Sequence, residues 1–330
     1  MPPTLRDVAR KAGVSMKTAS RVANHQGEVS GETRDRVLSA IRELGYRPSK
    51  LARGLVTHRT DTVGLVLGDI SNPFFPEVAR GVLDNAEQAG YNVFVCNSDG
   101  ELQREIRTLH SLADHAVDGI ICFPSFEIES FLLTFAAQGH PVVCVNRPFE
   151  SEWVSRVMIR SREGARLATE HLIRKGHRAV GMLAGPASPV TRHERVQGYL
   201  LSLKAHGLPG CTDRIVSGPP VLEQGRSGAR ELLARHPDTT AIFAYNDLLA
   251  LGAIQMCRAL GRRVPQDVAV VGFDDIPLAD RVSPALTTVR VDKYALGQLC
   301  MQRMCEMLGA PGAAFEAAQV GVELVVRESG

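Results

Sequence analysis

The sequence predicts a small all-α head followed by a larger two-lobed α/β body, and three observations carry that prediction. Apolar residues recur at helical spacing through residue 44, whereas from residue 62 onward short β-branched runs alternate with helical stretches. Charge divides the same way: residues 1–60 hold 12 Lys and Arg against 5 acids, and residues 61–330 hold 26 against 31. At 330 residues the chain exceeds the usual size of a single core.

Leu5, Val8, Ala9 and Ala12 share one face of a first helix, and Gly13 supplies the tight backbone that stops it. Ser15 is placed to cap a second helix by accepting a bond from a first-turn amide. On that helix Ala19 and Val22 face inward, leaving Met16, Lys17, Ser20 and Arg21 outward. Two helices about a tight turn, in the most basic stretch of the chain, point to sequence-specific DNA binding, because counterion release rewards clustered positive charge. Val37, Leu38, Ile41 and Leu44, closed by Gly45, form a third helix that completes the core. The stretch from Pro48 to Leu55 is too short and too poor in apolar residues to be a stable helix alone, and its composition reads as an interdomain linker.

In the body, Thr62 to Leu67, Tyr91 to Cys96, Asp118 to Phe123, Val142 to Val145 and Val154 to Ile159 read as parallel strands with crossover helices. Ala179 to Leu183, Arg214 to Val216, Ala241 to Tyr245 and Val268 to Phe273 repeat the pattern, with late strands at Thr287 to Val291 and Val320 to Val326. Two similar doubly wound lobes follow. Ligands of such sheets bind beyond the carboxyl ends of the strands, which directs attention to Asp69, Asn146, Arg147, Asn246, Asp247, Asp274 and Asp275. With Phe74, Phe75 and Arg195 these give apolar faces and fixed hydrogen-bonding groups, a combination suited to a polyhydroxylated small molecule. Each position also has a plain structural use: Asp and Asn after strands cap following helices, and phenylalanines fill cores.

The first residues form no apolar leader, and no apolar run reaches the roughly 20 residues of a membrane span, so a cytoplasmic protein is expected. The seven cysteines lack CxxC spacing and read as buried thiols. GxGxxG and GxxxxGK[ST] are absent and the ten histidines are dispersed, so no cofactor, metal or catalysis is called for. A transporter's solute-binding protein would carry a signal peptide and lack the basic head.

The chain resembles the LacI/GalR family of bacterial transcriptional regulators. The resemblance spans Leu5-Arg6-Asp7-Val8-Ala9, Ala12-Gly13-Val14-Ser15, Thr18-Ala19-Ser20-Arg21-Val22, Leu44-Gly45-Tyr46-Arg47-Pro48, Gly176-His177-Arg178, Asn246-Asp247, Val264-Pro265-Gln266-Asp267-Val268, Gly272-Phe273-Asp274-Asp275 and Pro284-Ala285-Leu286-Thr287-Thr288. It implies a helix-turn-helix domain over 1–46, a hinge helix or linker over 47–60, and a periplasmic-binding-protein-like body over 61–330. Lobe 1 is expected at about 61–160 plus 292–319 and lobe 2 at about 161–291 plus 320–330. It also implies a homodimer whose two heads occupy successive major grooves of a near-palindromic operator in double-stranded DNA, with no membrane partner and a nucleoid-associated location.

By the same resemblance Met16, Lys17 and Arg21 read bases, and Thr4, Ser15, Thr18, Ser20, Asn24 and Tyr46 lie near phosphates. Lys17 or Arg21 suits a guanine, whereas Met16 offers apolar contact. Ala52 and Leu55 belong to a hinge helix that folds in the minor groove, Leu55 wedging between base pairs. The effector residues implied are Asp69, Phe74, Phe75, Asn146, Arg147, Thr191, Arg195, Asn246 and Asp274. Three departures from the family pattern stand out: Asn146 where an acid is common, Arg160-Ser161 where Asp-Asn is usual, and Gly54 where a side chain is common. With Arg147, Arg156, Arg162 and Arg192 the first two point to an anionic effector, a sugar acid or sugar phosphate, over a neutral sugar. Gly54 raises the cost of ordering the hinge. Binding of the effector between the lobes is expected to change their orientation and so the free energy of operator binding.

Overall fold

A computed structural model describes residues 3–24, 29–46, 59–125, 128–147, 151, 153–186, 190–210, 212–310, 313 and 315–330. The chain divides into two compact units, Met1–Thr60 and Asp61–Gly330. The expectations for Ala52, Gly54 and Leu55 fall outside the described residues.

Among the described residues the first unit holds three helices, α1 (Leu5–Ala12), α2 (Met16–Ala23) and α3 (Gly31–Leu44). Thr4 and Asp7 form a reciprocal capping box at the start of α1, and Gly13 ends it in the left-handed region at φ 64°. Val8, Ala9, Ala12, Ala19, Val22, Val37 and Ala40 form its small core.

The second unit holds two six-stranded sheets. Lobe 1 has the order β11-β5-β4-β3-β1-β2, built from β1 (Thr62–Leu67), β2 (Asn92–Asn97), β3 (Gly119–Cys122), β4 (Val142–Val145), β5 (Val154–Ile159) and β11 (Ala318–Val320). Lobe 2 has the order β12-β10-β9-β8-β6-β7, from β6 (Val180–Ala184), β7 (Ile215–Ser217), β8 (Ala241–Ala244), β9 (Ala269–Asp274), β10 (Thr287–Val291) and β12 (Val322–Val325). Strands β1, β3, β4, β6, β8 and β9 are buried along their whole length, which is why they read as unbroken apolar runs rather than alternating ones.

One expectation is corrected. The apolar run from Val320 to Val326 is not a single strand: β11 pairs in parallel with β5 of lobe 1, and β12 pairs antiparallel to β10 of lobe 2, so lobe 2 is a mixed sheet. Gly321 separates the two strands. The chain therefore crosses between lobes three times, after Ile159, after Val291 and after Val320. Helix Lys293–Gly309 belongs with lobe 1, packing on β3 to β5 and on helix Phe74–Gln88. That helix pair meets backbone to backbone: a Cβ on Gly297 would stand 2.1 Å from the Val78 carbonyl oxygen, and one on Gly81 2.1 Å from that of Tyr294.

Candidate functional site

On α2, Ser15 accepts a bond from the Thr18 amide at 3.1 Å and also bonds the Thr18 hydroxyl at 2.9 Å, fixing the first turn. Ala19 and Val22 are buried, whereas Met16, Lys17 and Arg21 are exposed, Met16 by 49%. Two cations and one bare thioether thus share the solvent side of a short helix. Asn24 donates to the Ser20 carbonyl at 2.9 Å and to its hydroxyl at 3.3 Å, so these two polar side chains close the helix end together. The Thr4 hydroxyl and amide both donate to Asp7, and Tyr46 packs against the head core.

In lobe 1, Asp69 follows β1 and accepts from the Ser71 amide at 2.9 Å and hydroxyl at 2.6 Å, closing a local turn. Phe74 is 8% exposed and belongs to the core, so there its structural use prevails. Phe75 is half-buried, with ring centroids 5.3 Å from Phe74 and 5.2 Å from Phe123, both edge-on. Asn146 sits at φ 57°, a conformation Asn tolerates, and accepts from the Ile159 amide at 2.9 Å, tying the end of β4 to β5. Arg147 is buried and donates to the Pro124 carbonyl at 2.8 Å. Beside it lies Glu105, fully buried, whose carboxylate accepts from the Ser125 amide at 2.9 Å; burial pushes its pKa up.

In lobe 2, Arg195 is 4% exposed and is sandwiched by aromatic faces, its guanidinium 3.6 Å from the Phe273 ring centroid and 4.4 Å from that of Tyr245. It donates to the Tyr245 carbonyl and pairs with the Asp274 carboxylate at 3.4 Å. Burial pushes Asp274 up to about 6, against the opposing pull of Arg195 and Lys293. Asp247, fully buried, is pushed to about 8 by burial and by Asp274, although Thr288 donates to it at 2.5 Å and the Ile276 amide at 2.8 Å. Gly272 makes room for that carboxylate, since a Cβ there would stand 2.2 Å from Asp247 Oδ1. Asn246 caps helix Asp247–Ala259 through the Leu249 amide at 3.0 Å and donates to the Pro220 carbonyl at 3.2 Å. Thr191 lies beside the Tyr245 side chain.

The two lobes meet at these residues. Lys293 donates to the carbonyls of Asp274 at 2.9 Å and Asp275 at 2.8 Å in lobe 2, and lies 3.5 Å from Glu77, three positions beyond Phe74 in lobe 1. Glu105, Phe123, Tyr245 and Lys293 are thus members of this region that sequence reasoning does not single out. Two of the arginines expected to make the cleft positive are engaged elsewhere. Arg162 binds Glu194 through two bonds, at 2.7 and 3.0 Å, and Arg160 binds Gln319 at 3.0 Å. Both line a separate groove of about 840 Å³ between helices Ser161–Arg174 and Val190–Ala205, which contains none of the nine expected effector residues. No helix among the described residues is long and apolar enough to cross a membrane.

Residues 4–49 match the model of bacterial regulatory proteins of the lacI family, and residues 60–325 that of periplasmic binding proteins and the sugar binding domain of the LacI family. The chain is 36% identical over 330 residues to the ribose operon repressor of Halalkalibacterium halodurans, covering 99% of this chain and 96% of that one. It is 37% identical over 337 residues to the transcriptional regulator CelR of Thermobifida fusca, covering 99% and 98%. Among solved structures it is similar to a CelR–cellobiose complex, with 35% identity, a TM-score of 0.78 and coverage of 99% and 100%. It is also similar to a lac repressor dimer bound to operator, with 27% identity, a TM-score of 0.86 and coverage of 100% and 99%. The chain belongs to the LacI family of bacterial regulatory proteins, as a transcriptional regulator with a DNA-binding head and an effector-binding body.

Proposed function

We propose that the protein is a cytoplasmic, homodimeric repressor that binds a near-palindromic operator and is tuned by a small polyhydroxylated effector, a sugar, sugar acid or sugar phosphate, held between the lobes. Met16, Lys17 and Arg21 read bases from α2, and Thr4, Ser15, Thr18, Ser20, Asn24 and Tyr46 fix the head on phosphates, with Ala52 and Leu55 in the minor groove. The effector is held by Asp69, Phe75, Asn146, Arg147, Thr191, Arg195, Asn246 and Asp274, with Phe74 supporting Phe75 from the core.

The observation that carries this reading is the buried Arg195–Asp274 pair at 3.4 Å, flanked by aromatic rings at the carboxyl edge of lobe 2 and joined by Lys293 to the helix that begins at Phe74. A guanidinium and a carboxylate held rigidly against apolar faces suit the alternating hydroxyls and C–H faces of a sugar. Relatives crystallised with cellobiose and with ribose support that class. With Arg160 and Arg162 committed to the outer groove, preference for an anion rests on Arg147, Arg156 and Arg192. No residue is asked for catalysis, and turnover of sugars or sugar phosphates is expected to be nil.

The test uses the full chain. A duplex is selected from a random pool at moderate salt, and its affinity is measured with D-ribose, cellobiose, gluconate and ribose 5-phosphate, for the wild type and for Arg195→Met. A two-fold symmetric duplex whose affinity responds to one of these compounds in the wild type alone is the expected outcome. Absence of any preferred duplex, or an unchanged response in Arg195→Met, would overturn the reading.

A further inference from the structure

Lysine 293 is the first residue of helix Lys293–Gly309, a position that ordinarily faces water, yet it is only 4% exposed. Its ammonium sits among three carbonyl oxygens, those of Asp274 at 2.9 Å, Asp275 at 2.8 Å and Val291 at 3.4 Å. A compact cation with three donors matches converging carbonyls, where a planar guanidinium would not. The turn it binds is itself unusual. Asp274 and Asp275 stand at φ 109° and 53°, a region L side chains avoid, and such conformations persist where the surroundings over-determine them.

The surroundings act from two sides. Within lobe 2, the Asp275 carboxylate accepts from Arg290 and Arg327, each at 2.7 Å, and the Asp274 carboxylate pairs with Arg195. From lobe 1, only the Lys293 ammonium reaches the backbone of the turn among the described contacts, and it lies 3.5 Å from Glu77 in the first turn of helix Phe74–Gln88. One side chain thus touches both the peptide that carries Asp274 and the lobe 1 helix that carries Phe74 and Phe75.

We propose that Lys293 is a positioning residue that couples the Asp274 carboxylate of lobe 2 to helix Phe74–Gln88 of lobe 1, so that a change at Asp274 reaches lobe 1 through the Lys293–Glu77 contact. The functional meaning rests on the effector reading above, but the coupling itself is measurable without any effector. The charge of Asp274 and its pairing with Arg195 hold the turn in place. Their loss lets the two carbonyls shift, and the ammonium and Glu77 shift with them.

Amide hydrogen exchange on the full chain tests this as a double-mutant cycle. Asp274→Asn in the wild-type background is expected to lower protection of the amides of residues 78–82 by roughly tenfold, a cross-lobe effect. In the Lys293→Met background the same substitution is expected to change those amides by less than about twofold. Glu77→Gln alters an exposed partner and leaves the turn's own bonds intact, so it reports on the coupling even if Lys293→Met does not fold; it is expected to abolish the cross-lobe effect in the same way. A merely structural role for Lys293 would lower protection in every background without removing the difference that Asp274→Asn makes. If Asp274→Asn leaves residues 78–82 unchanged in the wild type, or changes them equally in the Glu77→Gln background, the proposal is wrong. Failure of every sugar to alter operator binding would instead overturn the effector reading and leave these exchange results standing.

Discussion

Two buried carboxylates lie near each other at the proposed effector site, and their environments set them apart. Asp274 keeps Arg195 as a partner and is pushed up to about 6; Asp247 has hydrogen-bond donors but, among the described residues, no paired cation, and is pushed up to about 8. Both values stand above the 3.8 of a free aspartate, so the folded protein binds these protons more tightly than the unfolded chain does. Stability from such a group is present at low pH and is lost as pH rises from the unfolded to the folded value. Between pH 7 and 8.5 Asp274 is already ionised in both states, and of the two carboxylates only Asp247 is still losing its proton. The loss over that window is about 1 kcal/mol, which lowers the melting temperature of a body this size by about 2–4 °C.

Other titrating groups act alike in the wild type and in Asp247→Asn. His140, His171 and His177 are lowered chiefly by burial, so the stability they add with rising pH is complete by about pH 7. The buried thiols are raised too, Cys257 to about 11, so they add a further loss of stability as pH rises through the ordinary thiol range of about 8.5, a loss that Asp247→Asn shares with the wild type. Calorimetry of the full chain at pH 7.0 and 8.5, following the transition of the body, is therefore expected to show a drop larger by about 2–4 °C in the wild type than in Asp247→Asn. The asparagine keeps one acceptor for the Ile276 amide, and the Thr288 hydroxyl can turn to accept from its N–H. Equal slopes in the two proteins, or a melting temperature that climbs with pH in the wild type, would refute the assignment.

Arg195→Met removes the cation that holds Asp274 and is expected to weaken binding of a responsive sugar at least tenfold by calorimetry, while leaving affinity for the selected duplex within about threefold. Arg21→Ala is expected to cost about 1–3 kcal/mol on that duplex and to relax preference at one position of each half-site, whereas Ser15→Ala costs the head about 1 kcal/mol in thermal stability through loss of the cap; binding to single-base variants separates the two. Gly297→Ala places a methyl 2.1 Å from the Val78 carbonyl and is expected to destabilise lobe 1 by about 1–3 kcal/mol in urea unfolding, with m unchanged.

Much of the fold is legible in the sequence because parallel strands buried on both faces leave unbroken apolar runs, and β1 and β4 have the bounds those runs predict; β5 and β10, interrupted by Arg156 and Arg290, keep their expected bounds as β-branched segments instead. The stretch from Val320 to Val326 misleads because the break between its two strands is a single residue, Gly321, and membership of one sheet or another is decided by pairing far away in sequence. In the site, strand-end Asn and Asp are visible by position, but burial is not. Glu105 stands between Arg104 and Ile106 in a helix with charged neighbours, and nothing local marks it as fully enclosed. Lys293 reads as a solvated helix start for the same reason. Tyr245 had a usable signal, since it follows β8 directly, next to Asn246.

At the strand ends a structural cap and the proposed ligand contact do not exclude each other. Asn246 caps a helix with its carbonyl oxygen and gives one N–H to Pro220, yet an amide has a second N–H. Asn146 holds the Ile159 amide with Oδ1, and Asp69 uses Oδ1 on Ser71, leaving a carboxylate with a second oxygen. Each structural bond freezes a side chain that would otherwise lose rotamer freedom on meeting a ligand, a cost of about 0.5–1.5 kcal/mol apiece. Capping is therefore part of what makes such residues good ligand contacts: the bond to the backbone fixes the direction in which the remaining donor or acceptor points. The same reasoning separates Phe74 from Phe75, since the core ring holds its half-buried neighbour edge-on at 5.3 Å and so fixes the ring that the proposed site would use.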